Sequence, residues 1–575
     1  MLKRIKETVV RTRRLTCLFG IGVVCMLLGV RAVNAADTKS ENCDIYATAT
    51  VASVDDLWRA LDRIADEMKY SEVTQVARAA LKLRGANVTF AQNRPFGLVV
   101  ASNGDNVFTF GHLPLPEDEK GADSATVFTQ ALFDQMNDKF DLDVELLPLG
   151  NTLCIVNPKC ADLIPANVAD DLQTLTFSNA EDIKFIEVKV NVEKIPAEFI
   201  EAAFASLRNA IAERAAANSQ IVPEELNDTL KIYSELIDSI AQCTWSITLD
   251  QENNLVSTFT LACKPDSVLL GQLEASSKMT SRWTSLLQTP NSIFSSVRAG
   301  VVTGLDAATQ SNTINDVTDN QLFLMQSILD NPDDFAVAQD LLEAFRKVAL
   351  ANLSVNEFDT GFVVAAEPFV IELGIDVKEM VRLKEAAQKI WERFCESQPD
   401  AKDMLKFDAQ AYADFQITTF DMPLNELDNV KFAYLRDKTL AVRFGLNDDA
   451  VLIVAGLDPT FCDAEFKRIA EASGTKEPYP TISSVNLAPL GMLLRSLLCE
   501  EESVNPNALK SLEALEKAQN AKFVFSQELV DSSLVCKATI TNDVFKLIGD
   551  VIRINLEKQV KDAGEDLDDL FDDEE

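Results

Sequence analysis

The sequence predicts an α+β protein whose antiparallel sheets carry helices on one face. Three observations predict it. Short stretches alternate apolar and polar residues, the pattern of half-buried strands. Other stretches place apolar residues three and four apart, the spacing of amphipathic helices. The order strand, two helices, hairpin, helix then recurs along the chain. Its period of about 100 residues exceeds the 20–50 of solenoid repeats and points to small modules in series. The expected organisation is a leader at 1–35 and four α+β modules at 44–180, 181–290, 291–400 and 401–562, followed by a disordered acidic tail at 563–575.

The first module opens with a strand, IYATATV (45–51), running into Ser53-Val54-Asp55-Asp56. Ser53 there can accept from the free N–H groups of a helix start, as in a capping box. Val54, Leu57, Trp58, Leu61, Ile64, Ala65 and Met68 follow at helical spacing. A second helix is predicted over Glu72–Leu83, then strands at Asn87–Gln92, Phe96–Ala101 and Val107–Gly111, then a helix near 122–139.

The second module repeats this order with strand Phe185–Val192, one helix from Pro196, another from Pro223 to Ile240, a hairpin over Cys243–Cys263 and a helix from Asp266 to about Leu287. The third has a strand from Val297 to Leu305, helices near 320–329 and 335–350, the hairpin FVVAAEPFVIELGI, and a helix carrying Met380, Leu383, Ala387, Ile390 and Phe394. Strands fill Leu405–Leu457, with a helix at Asp463–Ala472. From Ser483 the order returns: a strand, two helices, the hairpin FVFSQELVDSSLVCKATI and a helix at Asp543–Val560. Asn87–Ala91 echoes Asn429–Ala433, and Val107–Leu113 lines up with Val451–Leu457, the trace expected of an internal duplication.

Residues 1–35 read as a cleavable secretory signal peptide. Lys3, Arg4, Lys6, Arg11, Arg13 and Arg14 precede an apolar run from Cys17 to Val30, which is short for crossing about 30 Å of hydrocarbon. Val33-Asn34-Ala35 places small residues where a signal peptidase needs them, so cleavage is expected between Ala35 and Ala36. No later stretch has the apolar length of a membrane helix. The expected location is the periplasm, the cell envelope or the exterior.

The formal net charge is −37. Removing the leader, with its seven basic residues and one acid, deepens it to about −43. Such a surface repels nucleic acid and anionic membranes. Basic proteins, weakly held divalent cations and neutral ligands remain as possible partners. Oxidising compartments admit disulfides. Cys243–Cys263 is the leading candidate pair, because a hairpin centred on residue 253 sets the two thiols opposite each other; Cys154–Cys160 is the second.

Catalytic motifs are scarce. His112 is the only histidine, so a His-ligated zinc site or a Ser-His-Asp arrangement has little to draw on. No phosphate-binding glycine loop, nucleophile elbow or EF-hand loop occurs, and no cofactor is expected. Asn447-Asp448-Asp449 and Asn331-Pro332-Asp333-Asp334 read as solvated turns. A catalytic pair of carboxylates would be invisible among so many acids. Trp58, Trp245, Trp283 and Trp391 each fall in an amphipathic element and read as core.

Three stretches, Ser53–Met68, Arg94–Leu115 and Val188–Arg208, resemble large exported proteins of planctomycete-type bacteria in their basic leader, helix opening and P-x-G-L-V-V hairpin. The resemblance implies export, and no activity or site residue. The function expected from all of this is a non-enzymatic binding or envelope-structural role. The alternatives are a carboxylate-based hydrolase and a carrier of an apolar ligand.

Overall fold

A computed structural model describes residues 44–572 with interruptions, the longest at 84–90, 131–143, 165–181, 206–235, 427–434 and 499–504. The leader, Cys43, Cys499, most of the strand expected at 87–92, and most of the helices expected at 122–139 and 223–240 lie outside the described residues. The chain forms two compact units: 1–270 with Asp531–Lys537, and 271–530 with 538–575.

In the first unit, β1 (Asp44–Val51) leads to α1 (Val54–Glu67), α2 (Ser71–Leu83), β2 (Phe96–Ser102) and β3 (Val107–Pro114). β4 (Glu145–Leu149), β5 (Thr152–Val156), β6 (Ile183–Val190), β7 (Ile240–Leu249) and β8 (Leu255–Cys263) follow. Ser53 caps α1 as expected, accepting from the Asp56 N–H at 3.1 Å. The strands bond in the order β4-β5-β3-β2-β1-β6-β7-β8, every pair antiparallel. Alternation buries Val99, Ala101, Phe108, Phe110, Cys154 and Val156 in one cluster.

α3 (Val268–Ser277) follows β8. It ends ten residues before the boundary expected at Leu287, because the chain at Ser281 and Arg282 is captured by Asp359. The short β9 (Thr280–Ser281) and a 3₁₀ turn at Thr284–Gln288 replace the rest of that helix. In the second unit come β10 (Ser292–Val301), α4 (Gly304–Ile328), α5 (Pro332–Leu353), β11 (Glu357–Ala365), β12 (Val370–Asp376) and α6 (Met380–Ser397). β13 (Leu405–Tyr412), β14 (Phe415–Pro423), β15 (Thr439–Leu446), β16 (Ala450–Gly456) and α7 (Pro459–Ala472) are next. The chain closes with β17 (Glu477–Pro478), β18 (Thr481–Asn486), α8 (Leu487–Leu498), α9 (Pro506–Lys517), β19 (Lys522–Val530), β20 (Ser533–Ile540), whose first five residues are counted with the first unit, and α10 (Asn542–Asp572). α10 carries the helix past Gly564 to Asp572, through most of the stretch expected to be a disordered tail.

The second unit's main sheet runs β13-β14-β15-β16-β12-β11-β10-β18-β19, again antiparallel throughout. The α+β class therefore stands, but helices on one face do not. Ala441, Leu452 and Val454 pack with Cys462, Phe466 and Ile469 of α7. Their strand neighbours Phe444, Leu446, Val451 and Ile453 point the other way and pack with Val348 of α5 and Met380 of α6. Strands apolar on both faces need cover on both, and the helical excursions supply it.

Candidate functional site

Among the described residues, three places hold chemistry-bearing side chains in the interior, and they differ in what they can reach. The first is His112, on β3 opposite Gly97 of β2 and Cys154 of β5. It is buried, and its Nε2 has no hydrogen-bond partner. Burial pushes its pKa down to about 4, so the imidazole is neutral at ordinary pH. Its surroundings, Phe108, Phe110 and Cys154, are core. Among the described residues, no group of three or more His, Cys, Asp or Glu is placed to hold a metal ion.

The second is a carboxylate cluster in the second unit. Glu372 sits mid-strand on β12, fully buried, and its Oε2 accepts from Thr289 Oγ1 at 2.6 Å. Arg468 of α7 donates to Thr289 Oγ1 (2.9 Å), to the Ser285 carbonyl (2.8 Å) and to Glu465 Oε2 (2.7 Å), and its Nη2 lies 3.9 Å from Glu372 Oε2. Burial, opposed by the Thr289 hydrogen bond and reinforced by the charge of Glu465, pushes the Glu372 carboxyl up to about 7. Sequence reading missed this residue, although VIELGID places Glu372 in step with Val370 and Gly374 on the buried face. Nearby, buried Asp359 accepts from Ser281 Oγ and the Arg282 N–H, and Arg443 is held between Asp421 and Asp463. Each of these groups has a partner in its own chain, but the second oxygen of Glu372, Oε1, is buried without one.

The third is an apolar hollow of about 240 Å³. Lys384, Ala387, Ile390 and Trp391 line it from one face of α6, being three, six and seven residues apart. Leu405 and Phe407 of β13 line the opposite wall, with Thr418 and Phe444, which are paired across β14 and β15. β13 is an edge strand whose register slips between Lys406 and Gln410, with Asp408 at a φ of 48°. Glu372 and Arg443 face away from the hollow: both neighbour Val454 on the other side of the sheet from Phe444.

One charged side chain borders the hollow. Lys384 Nζ, on a mostly buried stem, is ion-paired with Asp408. The indole Nε1 of Trp391 is buried and has no hydrogen-bond partner.

The remaining sequence-stated sites fall elsewhere. Ala35 and Ala36 lie outside the described residues. Cys243 stands opposite Leu261, and Cys263 opposite Ile240, so the two thiols are not across from each other and both are free. The hairpin centres on Glu252, one residue before the expected position: Asp250 Oδ1 accepts from the N–H groups of Glu252 and Asn254, and Asn253 takes a φ of 64°. Cys154 and Cys160 are likewise free and buried. Asn447 donates to Asp414 and accepts from the Asp449 N–H, a self-satisfied turn. Trp283 is core, while Trp391 borders the hollow.

No protein-family model, curated protein or solved structure matches this chain. No helix among the described residues is long and apolar enough to cross a membrane.

Proposed function

We propose that this chain is an exported, non-enzymatic binding protein, with the hollow beneath α6 as a seat for a small apolar ligand. The observation that carries the reading is the composition of that hollow: six of its eight lining residues are apolar, the others being Lys384 and Thr418. Ligand pockets are largely apolar with a few placed polar groups, and this one has that character. The carboxylate-hydrolase reading has its best support in Glu372 and Glu465, but Glu372 is fully buried on the opposite face of the sheet.

Export rests on the leader, with cleavage at Ala35–Ala36, and on the acidic composition. The periplasm, envelope and exterior are equivalent on this ground. A basic partner and loosely held cations fit the same surface charge.

A duplicated origin is part of the reading. The elements run β-α-α-β-β from β1 to β3, from β10 to β12 and from β18 to β20. The two sheets share a central order, β3-β2-β1-β6-β7 in one and β12-β11-β10-β18-β19 in the other. The four modules are then two pairs, each pair building one sheet. The residue echo between β3 and β16 joins strands that hold different places, since β16 lies beside β12 as β5 lies beside β3.

The test of the binding role is calorimetric titration of the full chain with cumene, a small hydrocarbon without hydrogen-bonding groups. One saturable site per chain, lost in Ala387→Phe, supports the reading. Absence of saturable binding, or binding indifferent to that substitution, rejects it.

A further inference from the structure

We infer that Glu372 and Glu465 share one proton and form a latch: with the proton in place, α7 and the 3₁₀ turn at Thr284–Gln288 are held against the sheet, and its loss loosens both. The latch lies on the sheet face opposite the hollow and stands apart from the binding role.

Glu372 projects from the middle of β12 and Glu465 from α7, and both are buried. Arg468 Nη2 lies 2.6 Å from Glu465 Oε2 and 3.9 Å from Glu372 Oε2, so the two carboxyls meet on one guanidinium. They also stand within hydrogen-bonding reach of each other. An ionised carboxylate only accepts hydrogen bonds. Two of them at this range repel, whereas a single proton makes one a donor to the other. Glu372 is the member that holds it: it is fully buried with Oε1 unmet, whereas Glu465 Oε2 already accepts from Arg468. One proton, one carboxylate and one guanidinium sum to zero charge. Without the proton a negative charge is left over in the interior, where it is costly.

The other charged groups nearby are occupied. Asp376, in step with Glu372 on β12, pairs with Arg282 at 3.0 Å. Asp359, in step with Val363 across the β11–β12 pair, accepts from Ser281 and the Arg282 N–H. Arg443, beyond Val454 on β15, is held by Asp421 and Asp463. From α7, the buried Cys462 thiol is pushed up to about 12 and stays neutral. Glu465 and Arg468 are therefore the charges that act on Glu372, as its raised pKa reflects.

The cluster joins three elements. Thr289 Oγ1 donates to Glu372 and accepts from Arg468, which also donates to the Ser285 carbonyl. An excess charge here reaches water only if α7 or the turn moves away from β12. The closed cluster gives up its proton near pH 7 and an opened one near 4.5, so opening gains ground as pH rises through 7.

The experiment is hydrogen–deuterium exchange of the full chain at pH 6 and pH 8, read in peptides covering 284–289 and 459–472 and corrected for the pH dependence of amide exchange itself. In the unsubstituted chain the opening constant should rise about tenfold between the two pH values. Glu372→Gln, which cannot ionise, should show no rise. Glu465→Gln removes the charge that favours a proton on Glu372, so its rise should come at lower pH. Equal protection at both pH values in the unsubstituted chain, the same rise in Glu372→Gln, or a rise at unchanged pH in Glu465→Gln overturns the latch. Should Glu372→Gln not fold, the unsubstituted chain and Glu465→Gln decide by the same criteria.

Discussion

Glu372 of β12 accepts a 2.6 Å hydrogen bond from Thr289 Oγ1, and this bond ties a fully buried carboxyl to the segment that follows the 3₁₀ turn at Thr284–Gln288. The carboxyl's pKa, raised to about 7, makes its charge a burden on the fold. A carboxyl whose folded pKa exceeds its unfolded value holds its proton longer in the native state. Its contribution is therefore fully present below the unfolded value near 4.5 and is lost as pH rises through 7. Glu372→Gln, which cannot ionise, should stabilise the second unit by about 2–3 kcal/mol more at pH 8 than at pH 5. Urea melts of both chains at the two pH values check this; an equal difference at both would contradict it.

How far Glu372 and its neighbourhood were legible in the sequence follows from the range of the contacts. The β11–β12 hairpin is local, and alternation in VIELGID announces both the strand and its inward acid. The partners Thr289 and Arg468 lie 83 residues before it and on a later helix, where no local pattern points to them. The same limit explains the helix expected to reach Leu287: Asp359 captures Ser281 from 78 residues away. The hollow depends on α6 crossing an irregular edge strand, a relation periodicity does not encode. The Ser53 cap, by contrast, was readable because its partner is three residues on.

His112 gives a pH dependence of the opposite sign in the first unit. Its folded pKa, about 4, lies below the unfolded value of 6.5, so the unfolded chain takes up a proton first as pH falls. The stability it contributes is present above pH 6.5 and is lost on descent toward 4. His112→Leu should abolish about 2 kcal/mol of the destabilisation that the unsubstituted chain suffers between pH 8 and pH 5. Guanidinium melts followed in the first unit measure it, and an unchanged acid dependence would count against a buried neutral imidazole.

Trp283 is fully buried, and its ring occupies the space in front of Gly374 on β12. A Cβ at position 374 would come within 2.2 Å of the ring, and one at Gly361 within 2.7 Å of the Trp283 Cβ. Gly374→Ala should therefore cost about 3 kcal/mol through overpacking. Pairing it with Trp283→Phe should return part of that loss, which a double-mutant cycle in urea would detect. Additive losses would mean that the ring is not what the methyl meets.

Ser53→Ala removes the side-chain acceptor at the start of α1 and leaves the Asp56 N–H without it. A loss of about 1 kcal/mol is expected, read as a lower denaturation midpoint with an unchanged slope.

The central claim is that the hollow beneath α6 is a ligand seat bordered by Trp391, and the indole N–H signals of the full chain test it most directly. The chain has four tryptophans, so the proton–nitrogen spectrum of tryptophan-labelled protein holds few indole signals to assign. Trp391 lines the hollow, so titration with cumene should move one of them with saturation, and that signal should be the one missing from Trp391→Phe. A titration in which no indole signal moves, or in which the moving signal persists in Trp391→Phe, would contradict it.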